Sequence, residues 1–461
     1  MTETYHVIKD PVHGTMQFTH QEHQWIKPFI DSAHFQRLRH VKQMGMCDLI
    51  FPGAVHTRFS HCLGCCYVAC QITAKIGLND EERQLVILAC LLHDIGHGPF
   101  SHAFEGLFQE EIIRHEAWTP FFLQDFADAG FFELYNQLNP ELPLNKEKFT
   151  RIVQMIMHEG PNNNALADIV SSQLDADRLD YLLRDNNFCG VNYGIYDLRW
   201  MLHCLAIVEK DGVTHLGITQ KGVGTVEHYL MARRLMVKNI YHSKKKLAIE
   251  EYLQDLLISL AADIDTYANF HFLRPTNLGK FLLSVNTYNQ AIKKTDNKAD
   301  LKYKFLTENY QFYKGLCDYD LYSLIRELAN LNNDHPAVQI AERIHYRLMP
   351  NIIRFDYRYL SLVEKEVEQF KLNYQSQYQA WQIKIVRSPH FSYSGEEEPI
   401  YVVNEHGVIQ PLSDFSIMID AISDQYEQIA FIAIDKLIAK DAPILEFIEG
   451  IQAALIRKIH D

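Results

Sequence analysis

The sequence predicts a mainly α protein: a helical core with short β-hairpins and a smaller α+β C-terminal region. Three observations carry this. Apolar residues recur at helical intervals through most of the chain, the helical stretches stop at glycine or proline, and alternation is confined to a few short segments.

In chain order, a strand-like Tyr5 to Lys9 runs into a turn at Asp10-Pro11-Val12-His13-Gly14. From Glu22 to Met44, Trp25, Ile26, Phe29, Ile30, Phe35, Leu38 and Val41 keep helical spacing, broken near Pro28 and Asp31, which predicts two or three short helices. After the Pro52-Gly53 loop, Thr57 to Ile76 predicts one helix ending at Gly77. Asn79 with Glu81-Glu82 then opens a helix over Asp80 to Ile95, stopped by Gly96, Gly98 and Pro99. Helical periodicity continues through Phe104 to Asp125, Lys146 to His158, Ala165 to Arg184 and Asp197 to Leu205. Leu205 to Val208 and Val213 to Ile218 flank Lys210-Asp211-Gly212 as a hairpin. One long helix is expected from Val223 to Asp265, with further helices to about Glu366. Beyond that Trp381 to Val386 alternates, and Pro399 to Val403 and Gly407 to Pro411 flank Asn404-Glu405-His406 as a second hairpin. The expected division is a core over residues 1–280 and a C-terminal helical and α+β region over 281–461 that supplies oligomer contacts.

The 461 residues, 47% apolar and 22% charged, exclude a disordered tail, a collagen-like repeat and a coiled-coil rod. The net charge of -14 argues against wrapping extended duplex DNA, which needs many cations on phosphates, but leaves room for a small phosphorylated ligand. Met1 to Asp10 lacks a signal-peptide pattern, and the longest apolar run, Leu85 to Leu92, is too short to cross a bilayer, so a cytoplasmic location without membrane contact is expected. Nine scattered cysteines fit a reducing compartment, and Cys62, Cys65, Cys66 and Cys70 are read as small core residues on a helix face.

Chemistry concentrates between His56 and His115, where His56, His61, His93, His97, His102 and His115 fall. His93 and Asp94 end the most apolar helix, where an imidazole and a carboxylate without partners would cost several kcal/mol; a bound cation removes that cost. His61, His93, Asp94 and an aspartate from a third helix can supply such ligands. The third helix offers the run Leu174-Asp175-Ala176-Asp177-Arg178-Leu179-Asp180-Tyr181, with Asp177, Tyr181 and Asp185 one turn apart on one face. His97 and His102, beside such a site, suit holding phosphate oxygens and moving protons near neutral pH.

His61, His93-Asp94 and Asp177 resemble the H…HD…D signature of the HD-domain phosphohydrolases. The segments Asp10-Pro11-Val12-His13-Gly14, Phe35-Gln36-Arg37-Leu38-Arg39, Phe51-Pro52-Gly53-Ala54, Arg58-Phe59-Ser60-His61, His93 through His102 and Asp177-Arg178-Leu179-Asp180-Tyr181 follow the order of one branch, the deoxynucleoside triphosphate triphosphohydrolases. The likeness runs from about Tyr5 to Lys246. It implies a helical HD core that cuts a dNTP at the α-phosphate into deoxynucleoside and tripolyphosphate. It further implies a divalent metal (Mg, Mn, Fe or Zn) on His61, His93, Asp94 and Asp177, and phosphate contacts from His97 and His102. His115 matches the catalytic histidine, with Glu105 where the family has aspartate. Arg58, Arg178, Arg233 and Lys244 match phosphate contacts; Tyr181, Asp185 and Tyr241 match sugar and base contacts; Gln43 and Met44 match positions that crowd the sugar. Ser243 stands where the branch carries histidine. Asp31, Gln36 and Arg39 match positions that read guanine at an activating site between subunits, which implies GTP or dGTP activation and a homo-oligomer, dimer or tetramer. Two other readings stay open: the same chemistry on another nucleotide, such as a cyclic dinucleotide, an alarmone or a nucleoside monophosphate, and a nucleotide-sensing regulator with a weakened site.

Overall fold

The computed structural model describes residues 5–108, 112–128, 130–157, 165–391, 399–423 and 426–460, and these are mainly helical. Residue 158, the expected end of one helix, lies outside them. The chain opens on an antiparallel hairpin, β1 (Tyr5–Asp10) with β2 (Gly14–Thr19). The sequence predicts only the first strand; the alternation that buries Met16 and Phe18 of β2 is too brief to stand out. Thr19 and Glu22 form a capping box that starts α1 (His20–Ile30), and α2 (Ala33–Arg37) follows. The next two helices, α3 (Arg58–Ile76) and α4 (Asp80–Leu92), lie side by side, and every residue from Gln84 to Leu92 is buried. A second capping box, Asn79 with Glu82, fixes where α4 begins.

The helix expected over Phe104 to Asp125 is broken. α5 (His102–Glu105) leaves the helical path at Gly106, and α6 (Thr119–Asp128) starts anew after a single 3-10 turn at His115–Ala117. The Glu105 carboxylate accepts the backbone N–H of His115 at 3.0 Å, so a side chain takes the place of helical bonding there. α7 (Phe131–Leu138), α8 (Lys146–Ile156), α9 (Ala165–Val170) and α10 (Ala176–Cys189) complete the N-terminal helices.

After α11 (Leu198–Cys204) comes the expected hairpin, β3 (Leu205–Lys210) and β4 (Val213–Thr219). The single helix expected from Val223 to Asp265 is instead α12 (Val223–Met236), a π-helical turn over Val237–Tyr241, and α13 (Lys244–Asp263). A π turn inserts one residue and rotates all that follows, a feature frequent at functional sites. Four helices come next: α14 (Asn277–Ile292), α15 (Lys298–Tyr313), α16 (Asp318–Ala329) and α17 (Pro336–His345). The rest is the α+β part: β5 (Asn351–Arg354), α18 (Leu360–Asn373), β6 (Ile383–Phe391), β7 (Tyr401–Val403), β8 (Ile409–Pro411), α19 (Ile417–Ile422), β9 (Tyr426–Ile434) and α20 (Ala442–His460).

The two hairpins belong to one sheet. β7 pairs with β8 antiparallel and with β4 in parallel, placing Val402 beside Ile218, so the strand order is β3-β4-β7-β8. A second sheet, β5-β9-β6, packs with α18 and α20 around a small core of Val363, Val367, Phe370, Ile432, Ile434, Ile444 and Ile451. The main core is continuous from Met16 in β2 to Ile419 in α19.

Candidate active site

Four separate elements meet at the end of α4. α3 presents Arg58 and His61, the turn after α4 presents His93, Asp94 and His97, α10 presents Asp177, and the 3-10 turn presents His115. Gly96 permits the closest approach: a Cβ there would stand 2.4 Å from the His115 carbonyl oxygen, so any side chain would push the two segments apart.

The four residues expected to hold a metal lie together. His61 Nε2 is 2.9 Å from Asp177 Oδ1 and 3.6 Å from Asp94 Oδ2. His93 Nε2 is 3.5 Å from both Asp94 Oδ1 and Asp177 Oδ1, is buried and makes no hydrogen bond. A buried imidazole nitrogen aimed between two carboxylates is what a cation would satisfy, so the donor set fits a divalent metal. The electrostatics point the same way. Burial alone would depress His61, but its hydrogen bonds with Asp177 and Asp180 outweigh it and push the pKa up to about 10. Burial likewise opposes the charge on Asp177, yet His61 and His93 hold it well below the usual carboxylate range. This cluster therefore favours positive charge at its centre. Cys65 also reaches it, with Sγ 3.5 Å from His61, but burial pushes its thiol far above the ordinary value, so it stays a neutral neighbour.

A second layer that the sequence did not single out orients His61. Asp180 Oδ2 lies 2.8 Å from His61 Nδ1, and the same carboxylate is 2.6 Å from His13 Nε2 and accepts two bonds from Arg184, at 2.8 and 2.9 Å. Arg184 also donates to Asp10 at 2.9 Å. Fixing the outer nitrogen sets the tautomer and aim of the inner one. The available signals were Asp180 one turn after Asp177, and the Asp10 and His13 of the first turn. Gly64 on α3 makes room for this layer, since a Cβ there would meet Asp180 Oδ1 at 1.8 Å.

Asp94 is also paired with Arg58 and lies 3.2 Å from His97 Nε2. Burial opposes its charge, and Arg58 and His93 hold it down regardless. His97 is driven well below 6.5 by burial, Arg58 and His115, and its ring stacks on His115 at 3.6 Å. Glu105 Oε1 lies 3.0 Å from His115 Nδ1, leaving Nε2 free of that contact. Burial opposes the Glu105 charge, but bonds from His102 and His115 hold it well below the carboxylate range.

A cavity of about 520 Å3 opens on this cluster. His93, Asp94, His97, His102 and His115 line it, with Arg58, Arg178 and Arg233 as cations. Gln43, Met44, Tyr181, Asp185 and Tyr241 line it as well. The Gln43 side-chain oxygen is buried without a hydrogen bond. Tyr241 donates to Asp185 at 2.8 Å, and His56 Nε2 lies 2.7 Å from the other oxygen of Asp185. No local spacing in the sequence ties His56 to Asp185, 129 positions away. Lys244 is not among the cavity-lining residues; it sits near Lys238 and Arg354, where burial and those cations lower its pKa, while Lys246 lines the cavity and pairs with Glu250 at 2.7 Å. The wall near Arg58 is strained: Phe100 and Ser101 have φ of +53° and +54°. Asp318 of α16 holds this turn by accepting the N–H groups of Phe100 at 2.7 Å and Lys42 at 2.9 Å, and Ser101 accepts from Arg58 at 3.1 Å.

The residues expected at an activator site lie at the N-terminal surface. Asp31 pairs with Lys27, Gln36 donates to the Ile30 carbonyl at 2.8 Å, and Arg39 donates to Gln36 at 2.7 Å with its guanidinium 3.5 Å over the Phe59 ring.

Residues 58–183 match the HD domain family. The chain is 34% identical over 256 residues to the uncharacterized protein YwfO of Bacillus subtilis, covering 54% of this chain and 55% of that one. It is 29% identical over 285 residues to the deoxynucleoside triphosphate triphosphohydrolase SAMHD1 of Bos taurus, covering 56% and 48%. The alignments thus span about half the length of these relatives. A phosphohydrolase crystal structure from Bacteroides thetaiotaomicron superposes with a TM-score of 0.71 at 23% identity, covering 94% of this chain and all of that one, a likeness of fold. Among the described residues, no helix is long and apolar enough to cross a membrane.

Proposed function

We propose that this chain, which carries an HD domain over residues 58–183, is a metal-dependent phosphohydrolase that cuts deoxynucleoside triphosphates into deoxynucleoside and tripolyphosphate. The observation that carries the reading is a single cavity lined together by the His/Asp cluster, by Arg58, Arg178 and Arg233, and by Gln43, Tyr181, Asp185 and Tyr241. His61, His93, Asp94 and Asp177 would hold a divalent ion, which when bound would supply Lewis acidity at the α-phosphate and make water more acidic. Arg58, Arg178 and Arg233, with His97 and His102, bind the triphosphate, whose roughly four negative charges need local cations in a chain of net charge -14. His115, oriented by Glu105, gives a proton from Nε2 to the departing 5′-oxygen. Tyr181, Asp185 and Tyr241 hold sugar and base, and Gln43 and Met44 crowd the sugar where a 2′-hydroxyl would stand. Asp31, Gln36 and Arg39 form the site of a GTP or dGTP activator in a homo-oligomer, and the protein acts in the cytoplasm on small nucleotides.

The test is to incubate the purified protein with each dNTP and Mg²⁺ or Mn²⁺, with and without GTP. Deoxynucleoside and tripolyphosphate should appear in equal amounts. If every dNTP survives while another nucleotide is consumed, the substrate assignment is wrong. Asp31→Ala should lose GTP-dependent assembly while keeping its metal; unchanged assembly removes the activator site.

A further inference from the structure

Beyond the cluster of His61, His93 and Asp177, and sharing His115 with a group of Asp94, His97 and His115, stands a further group of metal-ligating atoms. Ligand atoms of His102, Glu105 and His115 all lie within 4.8 Å of one another. His102 Nδ1 is 3.3 Å from Glu105 Oε2, and His115 Nδ1 is 3.0 Å from Glu105 Oε1. Glu116 adds a fourth candidate: its Oε2 is 3.5 Å from His115 Nδ1 and is buried without a hydrogen bond. Four ligands arranged tetrahedrally at Zn–N and Zn–O distances stand about 3.3 Å apart. The separations of His102 and His115 from Glu105 already approach that spacing.

We infer that His102, Glu105, His115 and Glu116 form a second cation site, selective for zinc, whose occupation switches the enzyme off. Two imidazoles with carboxylates suit Zn²⁺, whereas Mg²⁺ prefers an all-oxygen shell. The ion need not pass through the substrate cavity: a separate opening of about 330 Å3 exposes Glu105 and His102 from outside, and the His102 side chain is 66% exposed. Arg114 borders this opening as the opposing cation, against two carboxylates.

The inhibition rests on the reading that His115 is the proton donor. Zn²⁺ would take the Nδ1 lone pair of His115, and the proton shared there with Glu105 would leave to water. An imidazole so ligated cannot become imidazolium, so its Nε2–H is too weak an acid to protonate a departing alkoxide.

The test counts zinc on protein stripped with chelator and reconstituted, by equilibrium dialysis and elemental analysis. Wild type should retain two equivalents, His102→Ala one, and the double variant His93→Ala/Asp94→Ala one. Removing His102 from the double variant should leave none. A single equivalent in wild type, or two in His102→Ala, overturns the second site even if the double variant fails to fold. The count needs no turnover, so it stands or falls separately from the substrate assignment. On the activity side, zinc added to enzyme saturated with Mn²⁺ should cut dNTP hydrolysis at least tenfold, and Glu116→Ala should raise the zinc concentration needed by tenfold or more. Zinc bound at two equivalents with hydrolysis unchanged would overturn the inhibitory role.

Discussion

At the scale of single residues, the site is set by which partners surround each titratable group. His93 and Asp94 face a centre that favours positive charge, so His93→Ala with Asp94→Ala should weaken metal binding at this centre at least tenfold in equilibrium dialysis, the loss typical of removing even a side chain that only orients a ligand. Glu105 fixes the Nδ1 side of His115, and Glu105→Gln should reduce kcat by roughly 10²–10⁴-fold with little change in KM. The same residue predicts a pH dependence. Burial opposes its charge and bonds from His102 and His115 overcome it, so the folded-state value lies below the ordinary 4.5. A depressed acid contributes stability that is complete above 4.5 and is lost as pH falls toward the folded-state value. The stability difference between wild type and Glu105→Gln, measured by denaturant titration, should hold constant near neutrality and shrink below pH 4.5; a difference that grows on acidification would contradict this sign. Much at this scale was legible in the chain. His61, His93-Asp94 and Asp177 stand in order, and the structure brings their ring nitrogens and carboxylate oxygens to 2.9–3.6 Å from one another. Asp180 and His13 were not singled out, because their bond joins positions 167 apart and no local spacing records it.

At the scale of elements, helix contacts decide where those residues point. Gly64 lets α3 approach α10 over the buried Asp180–Arg184 pair, and the Cβ of Gly64→Ala would meet both side chains. Overpacking of this kind costs about 1–3 kcal/mol; thermal unfolding should show the loss, and metal content should fall with it as His61 loses its orienting partner. A π turn at Val237–Tyr241 precedes α13, in which Lys246, and not Lys244, faces the cavity. Residues two apart on a helix lie on nearly opposite faces, and one inserted residue rotates the rest by about a quarter turn or more. Sequence periodicity runs smoothly through Val223 to Asp265 because the apolar pattern tolerates that insertion, so the break was hidden.

At the scale of the whole molecule, the C-terminal part reaches back to the core that carries the site. Asp318 braces the strained Phe100–Ser101 turn, and Asp318→Ala should lower kcat while the protein stays folded, because two backbone N–H groups beside Arg58 lose their acceptor. Val402 in β7 is fully buried beside Ile218 of β4. Val402→Asp would bury an unpaired charge at a cost of more than about 3 kcal/mol and should unfold the shared sheet at a lower temperature. By itself, the sequence determined the mainly helical class, the two hairpins, the signature residues and the order in which they occur, since periodicity, caps and short motifs are local. Only the tertiary structure decided that the hairpins share one sheet, that α16 supports the turn at Phe100, that Asp180 and His13 orient His61, and that Lys246 replaces Lys244. Those facts depend on contacts between distant positions and on helix rotation, which close packing fixes and no local pattern encodes.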